Sequence, residues 1–415
     1  MEKERFINRY FIIVCFIALA INTVFRMLDS NLAPYANEVW GSKTLGGYLS
    51  STFNIGSICM AFFAGRLTRV WGKRSCLLVA TLVFAVAAFA MGIFEVPSVG
   101  LTMRLLQGMS KGLIMVTMTS IVVDVVARNR MNEGMGIYNI PQTLSYAIGP
   151  LLGLNLAVAG GYPLMFIMCA LFCVVAAVLS LGETYEKKPE YQKKLEAKQE
   201  IDTDKEYKGV WKFLEKCALL PSIVNTIFMA GFSCILIFGT IYAQEVLELS
   251  ASQIGFFYTA AAVAMVIARL ACNRLADRFG ALVMVIPGMV CMAMSIVFLA
   301  FFAKQSYVFF LAAGCLYGVG DIFTIPTLNA CAVVDSPAKR GDFATGTFWF
   351  TMDFGVLFGS TFYGMIIDAA ANVENGYTHM WMVGLVILLG ALALSIILFN
   401  NKARAARRKK NGIVI

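Results

Sequence analysis

Long apolar runs separated by short polar segments dominate this chain. Each run is about 20 residues long, which is the length that an α-helix needs to cross the hydrocarbon core of a bilayer. Backbone polar groups in lipid must bond within their own segment, so runs of this length predict helices. Twelve runs are found, at residues 10–34, 45–67, 76–94, 99–124, 135–159, 164–181, 218–243, 254–273, 282–302, 307–333, 344–370 and 380–399. We therefore predict an all-α integral membrane protein with twelve transmembrane helices.

The composition is typical of a membrane protein. Of the residues, 59% are hydrophobic and 14% are charged, whereas soluble domains carry about 25% charged residues. The net charge of +9 comes from short basic bursts between the apolar runs. This distribution favours a membrane surface over nucleic acid as a partner. A single histidine and scattered cysteines give no reason to expect a metal centre or a cofactor.

The basic residues also predict the orientation of the chain. With the N-terminus inside, the inner segments, together with Arg66 at the inner end of its span, hold 28 of the 34 lysines and arginines, whereas the outer loops hold only Lys43 and Lys304. Lysine and arginine are retained on the cytoplasmic side of membrane proteins. We expect a multi-pass protein of the bacterial inner membrane, the cell membrane, with both termini in the cytoplasm.

The chain divides into two similar halves. A charged connector at 182–217 separates an N-terminal six-helix bundle, 1–181, from a C-terminal one, 218–400, and a basic tail follows at 401–415. At a spacing of 208 residues, Arg66 matches Arg274 and Gly72 matches Gly280. These matches predict two bundles related by a parallel pseudo-two-fold repeat.

Two charged motifs occupy equivalent positions in the halves. They read GRLTRVWGK at 65–73 and NRLADRFGA at 273–281, each in a predicted short inner loop between the second and third helices of its half. Glycine allows a tight turn, and cations beside a helix C-terminus complement its dipole. A plain basic turn is one interpretation, but the repetition favours a cytoplasmic latch. The latch residues are Gly65, Arg69, Gly72, Lys73, Arg274, Asp277, Arg278 and Gly280.

These motifs resemble those of a known family. The second one is similar to the loop signature G-x-L-x-D-R-x-G-R-R of the major facilitator superfamily, with Asn273 at the first glycine. In the first motif, Arg69 stands where the signature has aspartate. RLLQG at 104–108 resembles the fourth-helix motif of the family, and IGPLLG at 148–153 resembles a fifth-helix motif of exporters. With RGDFATGTFWFTMDFG at 340–355, the chain resembles the twelve-helix drug:proton antiporters. The resemblance implies a transporter and not an enzyme.

Charged residues inside the predicted spans call for a functional or structural reason. Each costs at least ~2.5 kcal/mol on insertion scales. Asp29 and Arg104 fall at about the same predicted depth, so we predict an ion pair between them. Together with Asp321 and Asp353 they form the candidate proton-coupling set. Static pairs that only fix helix register are the alternative, which is favoured for Asp353 and remains open for Asp321.

Other residues of the spans predict a substrate cavity and a hinge. The resemblance implies that helices 1, 4, 7 and 10 line a central cavity. The cavity candidates are Arg26, Asn22, Asn54, Gln107, Lys111, Asn139, Gln142, Asn225, Tyr258 and Tyr317. In helix 5, Gly149, Pro150 and Gly153 predict a gate hinge, although close packing by small residues explains them equally well.

The sequence as a whole predicts a secondary active transporter. We expect proton-coupled efflux of a small amphipathic organic molecule by alternating access, carried out by a monomer in the lipid bilayer. A proton symporter or uptake carrier for an organic anion is the alternative, with Arg26, Arg104 and Lys111 holding the carboxylate. A sensor or scaffold is disfavoured because no soluble output domain is present, and an ATP-driven pump because no GxxxxGK[ST] motif occurs.

Overall fold

A computed structural model shows a chain built from long helices. It describes residues 8–126, 131–184, 186, 209–212, 214–279, 282–334, 336 and 341–398. No β-strand occurs within these ranges. The predicted all-α class is confirmed.

The described residues of the first half form six helices. They are α1 (Arg9–Trp40), α2 (Lys43–Trp71), α3 (Lys73–Ile93), α4 (Pro97–Val125) and two that share one stretch. That stretch, Met131–Ser180, has non-helical backbone at Gly160 and Gly161. We call the part before the break α5 and the part after it α6.

Six long helices are also found among the described residues of the second half. They are α7 (Leu219–Glu245), α8 (Ala251–Phe279), α9 (Leu282–Val297), α10 (Tyr307–Val334), α11 (Gly341–Asp368) and α12 (Val373–Leu398). A π-helical turn, Phe298–Phe302, continues α9. Two short 3-10 turns, Gly209–Lys212 and Lys216–Ala218, precede α7.

Most helices begin and end close to the predicted positions. The break between α5 and α6 falls in the predicted gap at 160–163, and Gly161 has a φ of 73°, which favours glycine. The larger differences include α12, which was predicted to begin at residue 380 and begins at Val373, and α1, which was predicted to end at residue 34 and continues through Pro34 to Trp40. Hydropathy reports only the apolar part of a helix, whereas residues 35–40 include polar positions that continue the same helical backbone.

The described residues contain as many long apolar helices as a multi-pass membrane protein is expected to have. Ten segments are long and apolar enough to cross a membrane. The stretch Ile137–Ser180 counts once among them despite the break at Gly160 and Gly161, and α2 is not among them. These helices are consistent with twelve crossings, and that number stays a prediction.

The chain forms two compact units. The first comprises Met1–Leu28 with Ile55–Lys208, and the second comprises Asp29–Asn54 with Gly209–Ile415. The second unit therefore contains the ends of α1 and α2 that the basic residues predict to lie outside. Below, outer and inner refer to this predicted orientation. The predicted connector and tail lie largely beyond the described residues.

The same pairs of helices pack closely within each unit. In the first unit, Gly149 fits α5 against α1 and Gly56 fits α2 against α4. In the second unit, Gly355 fits α11 against α7 and Gly314 fits α10 against α8. A Cβ at any of these glycines would lie within 3.0 Å of a backbone oxygen of the partner helix. Small residues allow this approach, and the repeated pairing is what the predicted internal repeat requires.

Candidate functional site

Arg26 is held against a tyrosine in the first unit. Its Nη2 donates a hydrogen bond to the hydroxyl of Tyr146 at 2.9 Å, and its guanidinium carbon lies 3.9 Å from the centre of that ring. Gly149, one turn further along α5, leaves room for the Arg26 side chain. Arg26 was among the residues predicted from the sequence, whereas Tyr146 was not. Tyr146 and Gly149 are three residues apart, which puts them on one face of α5.

Arg104 is a deeply buried cation. Only 1% of the residue is exposed, and its Nη1 donates to Oε1 of Gln107 at 2.8 Å. Gln107 is also buried, and its amide contacts the sulfur of Met91 on α3 at 3.7 Å. An arginine cannot lose its proton in proteins, so this positive charge is permanent. The structure thus brings together the two residues that the RLLQG motif supplied.

The predicted pairing of Asp29 with Arg104 stays a prediction. Asp29 is half-buried and belongs to the second compact unit, whereas Arg104 belongs to the first. Because α1 ends at Trp40, Asp29 lies about three turns before its end. The estimate of equal depth was measured from the end of the apolar run at residue 34, whereas the helix itself continues to Trp40. Lys111 is half-buried on α4.

The second unit buries two carboxylates and one amide among the predicted residues. Asp321 on α10 and Asp353 on α11 are each 6% exposed. Asn225 on α7 is fully buried, and neither polar atom of its amide has a hydrogen-bond partner among the described residues. Buried amides without partners cost free energy, so Asn225 is a candidate for contact with a bound polar group.

Both predicted tyrosines of the second unit lie in a connected aromatic group. Tyr317 stacks on Phe232 with ring centres 5.3 Å apart, and it also contacts Phe257 at 5.9 Å. Tyr258 packs edge-on against Phe257, and its hydroxyl lies 2.8 Å from that of Thr240. These contacts join α7, α8 and α10 through aromatic side chains.

The remaining cavity candidates are polar residues within their helices. Asn22 and Asn54 are buried, and each donates to the carbonyl oxygen four residues earlier, at 2.7 and 2.8 Å. Asn139 and Gln142 are half-buried on α5. Their assignment to a substrate cavity stays a prediction.

The described residues of the two charged motifs are mostly helical, so the prediction that they lie in loops is wrong for these residues. The first motif lies in the last turns of α2, which ends at Trp71, and the second lies largely in α8, which ends at Phe279. In the first motif, only Gly72, with a φ of 78°, separates α2 from α3. The helical backbone continues there because its polar groups stay paired beyond the apolar part. The side chains of Arg69, Arg274, Asp277 and Arg278, any contacts of Gly65, and the residue Gly280 lie outside what the structure describes.

Lys73 is the latch residue with the clearest partners. Its ammonium forms an ion pair with Asp124 of α4 and donates to the carbonyl of Ser120 at 3.1 Å. Its backbone N–H donates to the carboxylate of Glu186 at 2.8 Å. Sequence reasoning missed Glu186, since nothing in the charged connector distinguishes it from its neighbours.

The predicted hinge lies inside a helix. Gly149, Pro150 and Gly153 all belong to α5. A Cβ at Gly149 would lie 2.5 Å from that of Arg26 and 2.9 Å from the carbonyl of Thr23. This close approach favours the packing interpretation at Gly149, and the hinge stays a prediction.

Four side chains, Asn37, Lys43, Glu245 and Tyr377, form what we call the outer cluster. The Glu245 carboxylate accepts from Lys43 Nζ at 3.0 Å, from Asn37 Nδ2 at 2.8 Å and from the Tyr377 hydroxyl at 2.8 Å. The four residues come from α1, α2, α7 and α12. The cluster therefore ties the outer ends of the first two helices to the second half.

Two further contacts hold the same end of α2. Asp368, the last residue of α11, accepts from the backbone N–H of Thr44 at 2.7 Å and from the hydroxyl of Ser42 at 3.3 Å. Deeper along α2, the hydroxyl of Ser51 lies 2.8 Å from that of Ser360 and donates to the carbonyl of Leu357. These contacts between α2 and α11 are polar.

The outer cluster could have been inferred in part. Lys43 and Lys304 are the two basic residues of the predicted outer loops, and both form ion pairs, with Glu245 and Glu374 respectively. An isolated lysine in a predicted outer loop, together with an acidic residue at a helix end, therefore indicates an ion pair. The identity of the partner is not readable from the sequence.

Comparison with known proteins decides the family. The sequence model of the Major Facilitator Superfamily matches residues 14–360. The chain belongs to the major facilitator superfamily. This result confirms the resemblance drawn from the motifs and makes the chain a multi-pass membrane transporter.

Relatives of this superfamily member extend over most of its length. An uncharacterised MFS-type transporter of Methanocaldococcus jannaschii is 23% identical, and the match covers 86% of this chain and 90% of the relative. Multidrug resistance protein 1 of Bacillus subtilis is 25% identical over 81% of this chain and 84% of its own. The crystal structure of the nucleoside transporter NupG superposes with a TM-score of 0.72 at 12% identity, covering 93% of this chain and 99% of that one. The last comparison bears on the fold alone.

Proposed function

We propose that this superfamily member exports small amphipathic organic molecules in exchange for protons, by alternating access. The outer cluster is the observation that carries the proposal. Alternating access requires a barrier on one side that closes and opens. The outer ends of α1 and α2 are closed against the second half by hydrogen bonds and an ion pair, which water can replace when they separate.

Buried ionisable groups support proton coupling. Asp321 and Asp353 are both buried, and Arg26 and Arg104 supply permanent positive charge in the first unit. A carboxyl whose surroundings change between two conformations binds a proton in one and releases it in the other. One proton moving through 100 mV supplies ~2.3 kcal/mol, which supports about a 50-fold gradient of a neutral solute.

Two observations favour efflux. The fifth helix carries the IGPLLG sequence that resembles an exporter motif. A relative of similar length is named for multidrug resistance. The aromatic group around Tyr317 and the fully buried Asn225 suit an amphipathic substrate, since flat apolar rings and a hydrogen-bonding amide occur in one unit.

Uptake of an organic anion with protons is the second candidate. Arg26, Arg104 and Lys111 place three cationic side chains on α1 and α4, and a carboxylate matches the planar donors of arginine. The two candidates differ in the direction of flux. Under a pH gradient, an exchanger moves substrate against the proton flow, whereas a symporter moves it along.

The proposal is tested by flux in proteoliposomes. Purified protein is reconstituted, a pH gradient of either sign is imposed, and uptake of a lipophilic cationic dye and of an aromatic carboxylate is followed. We expect dye movement opposite to the proton flow, and strong loss of flux with Asp29→Asn and with Arg104→Ala. Glu374→Gln, in an exposed ion pair with Lys304, is the matched control and should leave flux unchanged.

Each outcome bears on a separate part of the proposal. Flux that ignores the pH gradient would refute proton coupling. Carboxylate movement along the proton flow would establish the second candidate instead. Normal flux in both Asp29→Asn and Arg104→Ala would refute the assignment of these two residues.

A further inference from the structure

A buried glutamate lies at the inner end of the first unit. Glu183 follows α6 directly, and none of its surface is exposed. Neither oxygen of its carboxylate has a hydrogen-bond partner among the described residues. A charged carboxylate in such a place is strongly disfavoured, so the group takes its neutral, protonated form until the pH is high.

Burial and two neighbouring charged groups set the charge state of Glu183. Burial raises the pKa of its carboxyl to about 8, and the negative charge of Glu186 raises it as well, whereas Arg9 lowers it. Arg9 begins α1, where the hydroxyl of the next residue, Tyr10, lies 3.4 Å from that of Thr184. The start of α1 and the segment after α6 therefore pack around Glu183.

Glu186 connects this site to the turn between α2 and α3. Its carboxylate accepts from the backbone N–H groups of Lys73 at 2.8 Å and of Arg74 at 3.2 Å. These are the first residues of α3, whose N–H groups have no partner within the helix. A negative charge there also complements the helix dipole. Gly72 lies against the same carboxylate, since a Cβ there would be 3.2 Å from Oε2.

Glu186 is connected to charged residues of two further helices. Lys73 and Arg74 belong to α3, and the Lys73 ammonium is paired with Asp124 of α4. The site thus contains an N-terminal cap, Glu186, whose carboxylate interacts electrostatically with a second carboxyl, Glu183.

We propose that Glu183 is a proton-responsive switch that controls the capping of α3 by Glu186. With Glu183 protonated, the site contains one negative charge, and Glu186 holds the amides of Lys73 and Arg74. When the Glu183 O–H gives its proton to water on the inner side, two carboxylates repel each other in a dry environment. This repulsion is relieved when Glu183 and Glu186 move apart into the water on the inner side. The movement releases the start of α3.

The consequence reaches the charged motif at 65–73. Gly72 and Lys73 belong to that motif and to the capped turn. An alkaline inner side would therefore loosen this turn, and neutral pH would hold it. The inference concerns regulation and does not depend on which substrate is moved or in which direction.

Hydrogen exchange measured by mass spectrometry tests the switch. The full chain in lipid nanodiscs is labelled between pH 6.5 and 9.5, and rates are corrected for the intrinsic pH dependence of amide exchange. For peptides covering residues 72–77 and 181–186 we expect about a tenfold loss of protection with a midpoint near pH 8. Glu183→Gln should keep these peptides protected over the whole range, and Glu374→Gln should behave as wild type.

Two more variants distinguish a titrating switch from a purely structural contact. Arg9→Gln removes the stabilising cation and should move the midpoint to higher pH, whereas Glu186→Gln removes the repelling charge and should abolish the step. Arg9 is exposed, so its replacement tests the idea even where Glu183→Gln fails to fold. The proposal is overturned if no step occurs in the wild type, if the step persists in Glu183→Gln or in Glu186→Gln, or if Arg9→Gln moves the midpoint to lower pH.

Discussion

Removal of Glu245 should open the outer side of the protein. The carboxylate accepts from Lys43, Asn37 and Tyr377, and the side chains of Lys43 and Glu245 are only 10% and 24% exposed. At an effective dielectric constant of about 20, charges at this separation attract by about 5 kcal/mol before desolvation is subtracted. Hydrogen bonds to a charged group contribute about 1.5–3 kcal/mol net. We therefore expect Glu245→Ala to destabilise the closed outer side by about 2–3 kcal/mol.

The assay uses a cysteine placed behind the cluster. Ser51 is buried on α2 against α11, so in a background without native cysteines Ser51→Cys reports on separation of these helices. A membrane-impermeant maleimide is added from the outer side and the labelling rate is measured. Since 1.4 kcal/mol corresponds to a factor of ten, Glu245→Ala should raise the rate by about 30-fold or more, provided that the closed state remains dominant. Lys43→Ala should act in the same direction.

A matched control is present on the same side of the protein. Glu374 pairs with Lys304, and neither residue contributes to the contacts of α1 and α2 described above. Glu374→Ala should therefore leave the labelling rate of Ser51→Cys unchanged. Equal rates in Glu245→Ala, Lys43→Ala and Glu374→Ala would show that the outer cluster does not control access, and the estimate above would be wrong.

Three other predictions test packing, ring contact and titration. Gly355→Ala places a methyl group against a carbonyl of α7 and should destabilise the protein by about 1–3 kcal/mol, whereas Gly390→Ala meets open space and should not; equal melting temperatures would contradict this. Tyr146→Phe keeps the ring beside Arg26 and should lower the melting temperature less than Tyr146→Ala, which also removes the cation–π contact. Because the pKa of Glu183 is about 8 when folded and 4.5 in its ordinary state, the folded protein binds more protons between these values and stability falls as pH rises through that window. Glu183→Gln should flatten the melting temperature between pH 5 and 9, and an unchanged pH profile would refute the assignment.

The sequence predicted the helices better than their ends. Apolar runs indicate where a helix lies in lipid, and the gap at 160–163 marked the break at Gly160 and Gly161. They do not indicate how far a helix continues into water, so the extension of α1 to Trp40 and the helical state of the charged motifs were missed. A helix in water is held by the same backbone bonds but carries no hydropathy signal.

The candidate site was predictable in residue type but not in pairing. Arg26, Arg104 and Asp321 were found because a charge inside an apolar run is unusual. The partner of Arg26, Tyr146, comes from a distant part of the chain and is a chemically common residue. Only the contact of Arg104 with Gln107 was predictable from the sequence, because the two residues lie one turn apart on α4.

The two kinds of close helix contact differ in what their separation costs. Gly149 brings α5 close to the backbone of α1, and Gly355 brings α11 close to that of α7. Relative movement of either pair would leave unfilled apolar volume, so we expect the two helices of a pair to move together. At Gly47, α2 also lies against the backbone of α11, but hydroxyl groups of Ser51, Ser360 and Thr361 line that seam. Water can form hydrogen bonds with those hydroxyl groups as soon as the two helices begin to separate. We therefore expect helices to separate more easily along the hydroxyl-lined contact of α2 with α11 than along the contacts made by Gly149 and Gly355.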